Sequence, residues 1–340
     1  MIDLALKLLL LCGGRSEEHD VSLDSARSFI KAIDNNIELD PIVIDKSGKL
    51  LSPEDSLAKL MQNQIKPNKK PRPINQLSLH KYDLVFPLLH GPYGEDGSMQ
   101  GFLKLNSAKF VGSDVLASAA SMDKIIMKTI FGAIGIPQVP YLEISRQNWQ
   151  KIPEVVLESL EQFKFPLFVK PANLGSSIGI SRASDYQELR VAIDLAAKYD
   201  RRIIVEQGLN NARELEIAIL GNDEPKASVV GEIVFDSEIY DYETKYTDNQ
   251  AELKIPADIP KYVAKQCEEL ALRAYKIIDA AGLARIDFFF DEVNNKIYLN
   301  EINTMPGFTE TSMYPKLWQA SGLSYSELIS ELVNFALEKR

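Results

Sequence analysis

Apolar positions follow two alternating rhythms along the first third of the chain. LKLLLLCGG, DPIVID and YDLVFPLLHG are short, almost continuous apolar runs, while SLDSARSFIKAI, between the first two, repeats its apolar residues at helical spacing. Runs of that kind read as strands buried on both faces, and strands alternating with helices imply a parallel sheet covered by helices. A stretch rich in lysine and proline, from Gln62 to Asn75, has no periodicity and reads as a surface connection.

From Ser121 the helical rhythm returns, with Ser121 as the expected cap, Ile125, Ile126, Ile130, Phe131 and Ile134 on the apolar side, and a stop at Gly135 before Pro137. FPLFVKPA (165–172) and RIIVEQGL (202–209) read as strands around a glycine-rich turn and the helix SDYQELRVAIDLAAKY. EIAILG and KASVVGEIVF follow as strands, then a polar aromatic loop (238–253), a helix from about Ala264 to Gly282, and a hairpin. This organisation predicts an α/β protein of three units: 1–120, 121–214 and 215–340.

Composition narrows the function. The chain has 340 residues, 45% hydrophobic and 25% charged, which is globular and long enough for two or three domains. Its net charge of −10 argues against nonspecific nucleic-acid binding, so an anionic nucleotide would need local basic residues and metal. Cys12 and Cys267 supply neither a disulfide framework nor metal-ligand spacing, which fits a reducing cytoplasm. LALKLLLLC (4–12) reads as a buried first strand. It lacks the basic segment of a signal peptide, Lys7 interrupts it and a Gly-Gly turn follows. No other run approaches the ~20 apolar residues of a membrane helix.

The densest chemistry lies in LARIDFFFDEVNNKIYLNEIN (283–303). Two strands around a turn near Asn294 set Asp287 opposite Glu301, with Asn303 and Arg285 on the same face. These hard oxygen ligands suit Mg²⁺, which takes one or two carboxylates and completes its shell with water and phosphate. The alternative is a solvated acidic face. NLGSSIGI (173–180) follows a strand ending in Lys170, and Ser176, Ser177 and free amides there could cradle phosphate, or the segment is a plain turn. Lys124, in the first turn of its helix, either meets an anion or runs out to water. GGRSEEHDVS (13–22) and HGPYGEDGSMQG (90–101) follow strands and bring Glu18 and His90 to the sheet's carboxyl edge, where ligands bind in open α/β folds. Tyr240, Tyr242, Lys245 and Tyr246 mark a lid loop. NTMPGFTETSM (303–313) offers small hydroxyls and amides to a carboxylate.

GGRSEEHDVSLDSA, FPLLHGPYGEDGSMQGFL, GSDVLASAASMDK, FPLFVKPANLGSSIGI, IYDYETKY, GLARIDFFF and LNEINTMPGFTETSMYP, in this order, resemble the D-alanine–D-alanine ligase family of ATP-grasp enzymes over nearly the whole chain. The resemblance implies three α/β domains, an N-terminal Rossmann-like parallel sheet followed by two α+β domains that sandwich ATP. It implies ATP-dependent joining of two D-alanines through an acyl phosphate, for peptidoglycan precursors. It further implies two Mg²⁺ or Mn²⁺ ions at Asp287, Glu301 and Asn303. Lys124, Lys170, Ser177 and Lys245 would contact phosphates, Glu206 and Leu209 the adenine, and Glu214 the ribose. Glu18 would hold the first ammonium, with His90 near its carboxylate, and Arg285 would stabilise the oxyanion. Gly307, Ser312 and Met313 would bind the second substrate. Glu18, Ser176 and Tyr246 would form the hydrogen-bonded group that closes the lid. The family also suggests a cytoplasmic homodimer acting on small molecules, without nucleic acid or membrane. Gln207 stands where some members have a lysine facing the adenine, and the Lys/Pro stretch matches no family motif. Alternatives are a ligase taking D-lactate or D-serine as second substrate, and a nucleotide-binding regulator without turnover.

Overall fold

Leu8 to Cys12 are entirely buried because their strand, β1 (Leu6–Gly13), lies between two parallel neighbours. The structure is a computed structural model that describes residues 6–62, 69–175, 178–235 and 251–338. After β1 come α1 (His19–Ala32), β2 (Ile37–Ile44), β3 (Lys49–Leu50), α2 (Pro53–Leu60), β4 (Arg72–Pro73) and β5 (Leu84–Pro87), giving a sheet of order β4-β3-β2-β1-β5. Period-two alternation assigns the two faces of β1. Leu8, Leu10 and Cys12 join a core with Ala26 and Phe29 of α1, while Leu9 and Leu11 pack with Ile42, Ile44, Val85, Met99 and Leu103. Within the stretch expected to be a connection, Arg72–Pro73 adds an edge strand; residues 63–68 lie outside the described residues.

Helices α3 (Ser98–Leu105), α4 (Val115–Met122) and α5 (Lys124–Ala133) lead out of this unit. The expected cap at Ser121 is corrected. Ser121 lies inside α4 and donates its hydroxyl to Ala117 O, while Asp123 caps α5 by accepting from the amides of Ile125 and Ile126. Ile126, expected on the buried side, is 42% exposed.

The middle unit comprises β6 (Tyr141–Ser145), α6 (Arg146–Lys151), α7 (Pro153–Leu160), β7 (Leu167–Pro171), β8 (Ser181–Ala183), α8 (Tyr186–Tyr199) and β9 (Arg202–Gln207). Its antiparallel sheet has the order β6-β9-β7-β8. Val169, Ile203 and Val205 face α8, which leaves Lys170, Ile204 and Glu206 on the opposite face.

The third sheet, of order β12-β11-β10-β13-β14, is built from β10 (Arg213–Gly221), β11 (Lys226–Phe235), β12 (Ala251–Lys254), β13 (Gly282–Asp291) and β14 (Lys296–Asn303), with α9 (Lys261–Ile277) before β13. Two expectations are corrected: α9 ends at Ile277, short of Gly282, and the end of the expected polar loop pairs as β12. Leu215, Ile217, Ile286, Phe288 and Leu299 pack under α9, with Met127 and Phe131 of α5 in the same core. The last helices, α10 (Met313–Ala320) and α11 (Tyr325–Leu337), return to the first sheet, placing Tyr314, Leu328, Leu332 and Val333 against Leu8, Leu10 and Phe29.

Candidate active site

One face of the third sheet packs under α9, and the other is divided between an apolar part covered by α10 and α11, with Ala218, Leu220 and Leu283, and a row of charges. Glu216 of β10 stands opposite Asp287 of β13, and Asp287 stands opposite Glu301 of β14, so three carboxylates lie abreast. In the next row Arg285 stands opposite Asn303. Sequence reasoning placed Asp287 against Glu301, and the register agrees. It missed Glu216, although that residue lies two positions after Glu214 on the same strand and so shares its face.

Arg285 is the hinge of this cluster. Its Nε and Nη2 each donate to Asp287 at 2.7 Å, and Nε also lies 2.9 Å from Glu216 Oε2. Burial alone would lower the guanidinium pKa; Asp287 and Glu216 outweigh it and raise it well above the usual range. Asn303 Nδ2 donates to Asp287 Oδ2 at 3.1 Å. Asp287, Glu301 and the Asn303 amide present only hard oxygens to a cation, which suits a divalent metal. Among the described residues no three His, Cys, Asp or Glu side chains form a closed cage. These oxygens alone would supply only part of a shell, and Mg²⁺ ordinarily takes the rest from phosphate and water.

The face of the middle sheet turned away from α8 carries the opposite charge. Lys170 Nζ lies 2.6 Å from Glu206 Oε2, and Lys128 Nζ lies 2.9 Å from Glu206 Oε1. Burial would raise the Glu206 carboxyl, but Lys128 and Lys170 outweigh it and push it down to about 2. Lys124, the first residue of α5, donates from Nζ to Leu174 O at 2.7 Å. Burial lowers the Lys124 pKa, and the Glu301 carboxylate across the site opposes that shift. Lys128 escaped sequence reasoning, though its spacing of four from Lys124 puts both on one side of the helix. Leu209 is half-buried beyond Glu206, and Gln207 Oε1 accepts from the Lys164 amide. Glu214 is half-buried at the start of β10.

Loops from the first unit close the third side. Glu18 stands just before α1, and a Cβ added to Gly91, whose φ is +73°, would overlap Glu18 Oε2. A Cβ on Gly175 of the glycine-rich loop would lie 3.2 Å from the same oxygen, so three chain segments meet at one carboxylate. His90 is buried and its ring is fully engaged. Nδ1 lies 2.9 Å from Met305 O and Nε2 3.1 Å from Ser25 Oγ, which accepts from the Phe308 amide at 3.3 Å. A carbonyl only accepts, so Nδ1 carries the proton and Nε2 accepts from Ser25. Burial lowers the His90 pKa, consistent with a neutral ring tying the first unit to the 305–308 segment. Glu95, also missed, accepts from the Gly91 amide at 2.6 Å, and burial together with the nearby Glu18 pushes its carboxyl up to about 8. Its signal lay in HGPYGEDGSMQG, where it sits five residues past His90.

Beyond β14, a Cβ on Gly307 would lie 3.2 Å from Ser312 Oγ, which caps no amide of α10 and instead accepts from the Thr309 amide at 3.1 Å. Met313 is buried beside Gly231. Ser176, Ser177, Tyr240, Tyr242, Lys245 and Tyr246 lie outside the described residues.

Comparison with known proteins gives this arrangement a family. Residues 7–113 match the family model described as D-ala D-ala ligase N-terminus, and residues 130–334 match that described as D-ala D-ala ligase C-terminus. A D-alanine–D-alanine ligase of Deinococcus radiodurans is 50% identical over 98% of this chain and 99% of its own length. Among solved structures, the VanG D-Ala:D-Ser ligase of Enterococcus faecalis superposes with a TM-score of 0.84 at 34% identity, covering 97% of this chain and 99% of that one. The D-alanine–D-alanine ligase of Coxiella burnetii gives 0.81 at 35% identity over 98% and 94% of the two chains. With both terminal models matched and a half-identical relative aligned end to end, the chain belongs to the D-alanine–D-alanine ligase family.

Proposed function

We propose that this enzyme joins two D-alanines into D-alanyl-D-alanine at the expense of ATP, releasing ADP and phosphate, for peptidoglycan precursors. The observation that carries this reading is the pairing of a lysine cluster, from α5 and the middle sheet, with a carboxylate row and Arg285 on the third, close enough for Glu301 to act on the Lys124 and Lys128 ammoniums. Phosphoryl transfer needs positive charge about the phosphates, and acyl transfer needs a fixed cation at the oxyanion.

In this reading Lys124, Lys170, Ser177 and Lys245 hold phosphates, Glu206 and Leu209 meet the base, and Glu214 holds the ribose. Asp287, Glu301 and Asn303 hold two Mg²⁺ or Mn²⁺ ions, which when bound supply charge to the phosphate oxygens. Glu18 holds the first ammonium, with His90 behind its carboxylate. That carboxylate attacks the γ-phosphorus, the bond to ADP breaks, and an acyl phosphate forms. The amine of the second D-alanine, held by its carboxylate at Gly307, Ser312 and Met313, then attacks the carbonyl carbon. Arg285 holds the developing oxyanion, the carbon–oxygen bond to phosphate breaks, and the amine, already freed of its ammonium proton, loses one more as it becomes an amide. Glu18, Ser176 and Tyr246 fasten the lid.

The same reading divides the chain at 120 and 214 and makes the protein a cytoplasmic homodimer, which light scattering tests. Among the described residues no helix is long and apolar enough to cross a membrane. A ligase that takes D-serine or D-lactate as its second substrate is the second reading, favoured by the likeness to a structure named D-Ala:D-Ser ligase; the half-identical relative named D-alanine–D-alanine ligase favours the first. Mass spectrometry of products from ATP, Mg²⁺ and a mixture of D-alanine, D-serine and D-lactate decides between them. Dominant D-alanyl-D-alanine is expected, and a dominant ester or D-alanyl-D-serine overturns the assignment.

A further inference from the structure

Lys128 is a buried cation that the proposed chemistry leaves without a task. Its side chain is 1% exposed, against 10% for Lys170, and it reaches Glu206 Oε1 and, at 5.7 Å, the ring of Tyr141. Helix α5 fixes it there, because Asp123 caps the helix and is itself held by Arg202 Nη1 at 2.6 Å. Glu206 thus has two counter-charges of different reach. Lys170 is at the more open side and is read above as a phosphate ligand, whereas Lys128 is sealed behind the carboxylate.

The asymmetry matters once nucleotide binds. When Lys170 turns to a phosphate, Glu206 would be left as a buried carboxylate, and a buried carboxylate without a counter-charge takes up a proton. An ionised Glu206 only accepts hydrogen bonds, while a protonated one also donates. A purine with an amine at C6 needs an acceptor there, and one with a carbonyl at C6 needs a donor. The charge on Glu206 is therefore a filter for the base.

We propose that Lys128 is a positioning residue that keeps Glu206 an acceptor-only carboxylate after Lys170 has moved to the phosphates, so that the site takes ATP and refuses nucleotides with a C6 carbonyl. The inference rests on the reading of Glu206 as the base contact. The groups around Glu206 are Lys124 and Lys128 from α5, Lys170 and Phe168 from β7 and Tyr141 from β6, with Glu301 of β14 acting on the two α5 lysines. Of these, Lys128 is the cation that both touches the carboxylate and stays out of reach of a ligand.

The test uses the full-length enzyme with ATP and ITP, reading kcat/KM for D-alanine-dependent phosphate release from pH 6 to 9. The wild-type ATP-to-ITP ratio is expected to stay flat. In Lys128→Met the ratio should fall at least tenfold at pH 6 and recover towards pH 9 as Glu206 ionises; Lys128→Arg should restore the flat profile. A folded Lys128→Met enzyme with the wild-type ratio across the range overturns the proposal. Should Lys128→Met fail to fold, Lys128→Gln carries the same two outcomes. Glu206→Gln separates the premises. An unchanged ratio in Glu206→Gln refutes the base contact itself, while a changed ratio there with a flat wild-type ratio in Lys128→Met refutes Lys128 alone.

Discussion

Asp287 faces Glu301 because strand β14 carries one residue too many. The hairpin closes with Asp291 opposite Lys296, and Phe288 opposite Leu299, a register that would set Asp287 against Asn300. A bulge absorbs Asn300, so Asp287 meets Glu301 and Arg285 meets Asn303. The apolar residues of β14 record the same step: Ile297, Leu299 and Ile302 all face the core, with a spacing of two and then three. Without the bulge Glu301 would share the core face with Ile286, since a one-residue slip reverses every side chain beyond it.

Two carboxylates opposite each other repel, and that repulsion is what a bound cation relieves. Glu301→Gln is expected to abolish dipeptide synthesis and to remove the rise in Tm caused by Mg²⁺, while Tm in chelator changes little, because the lost repulsion from Asp287 is offset by lost attraction to Lys124, Lys128 and Arg285. Turnover retained at saturating Mg²⁺ would refute the metal assignment.

Arg285→Lys keeps the charge between Glu216 and Asp287 but loses the planar fork that now makes two bonds to Asp287. Loss of one such oxyanion donor costs roughly 10²–10³ in turnover. Nucleotide affinity should stay within about threefold by calorimetry; a near-normal kcat would make Arg285 structural.

Gly91→Ala tests the meeting of loops at Glu18. The new Cβ would overlap Glu18 Oε2, at a φ of +73° that costs an L-residue about 1–2 kcal/mol. KM for the first D-alanine should rise at least tenfold while KM for ATP is unchanged, as seen by varying each substrate separately. Equal effects on both would place the damage elsewhere.

Glu95 gives the ligand-free protein a pH signature. Its folded carboxyl titrates near 8 against an ordinary value of 4.5, so its contribution is complete below about 4.5 and is lost as pH rises towards and through 8. Glu95→Gln should match the wild type in unfolding free energy at pH 5 and exceed it at pH 9, by roughly 1–2 kcal/mol after discounting the ~1.4 kcal/mol per unit for solvent screening, with Tm higher to match. Parallel Tm curves for the two proteins from pH 5 to 9 would refute it.

Much of the candidate site was legible because its signals are local. RIDFFF and KIYLNEIN are apolar runs around a turn, so Asp287, Glu301 and Asn303 could be given one face, and Lys170 could be placed at the end of an apolar run, while Glu206 came only with the family resemblance. Ser121 was misread because a serine beside a helical pattern resembles a cap, while Asp123, two residues later, actually holds the amides. Lys128 was passed over because an i+4 lysine looks like a solvated surface residue until its burial is known.

The sequence by itself determined the alternation of strands and helices, the order of the motifs and the family, because period and turn chemistry are properties of neighbours in the chain. The tertiary structure decided what lies between distant segments. It set Glu216 beside Asp287, it seated Lys128 behind Glu206, and it folded α10 and α11 back onto the first sheet, more than 300 residues from β1. It also tied the His90 ring to Ser25 and to the Met305 carbonyl, contacts that no local pattern announces. Burial and charge pairing across such separations arise only when sheets pack against one another, and no local pattern encodes which buried cation will meet which carboxylate.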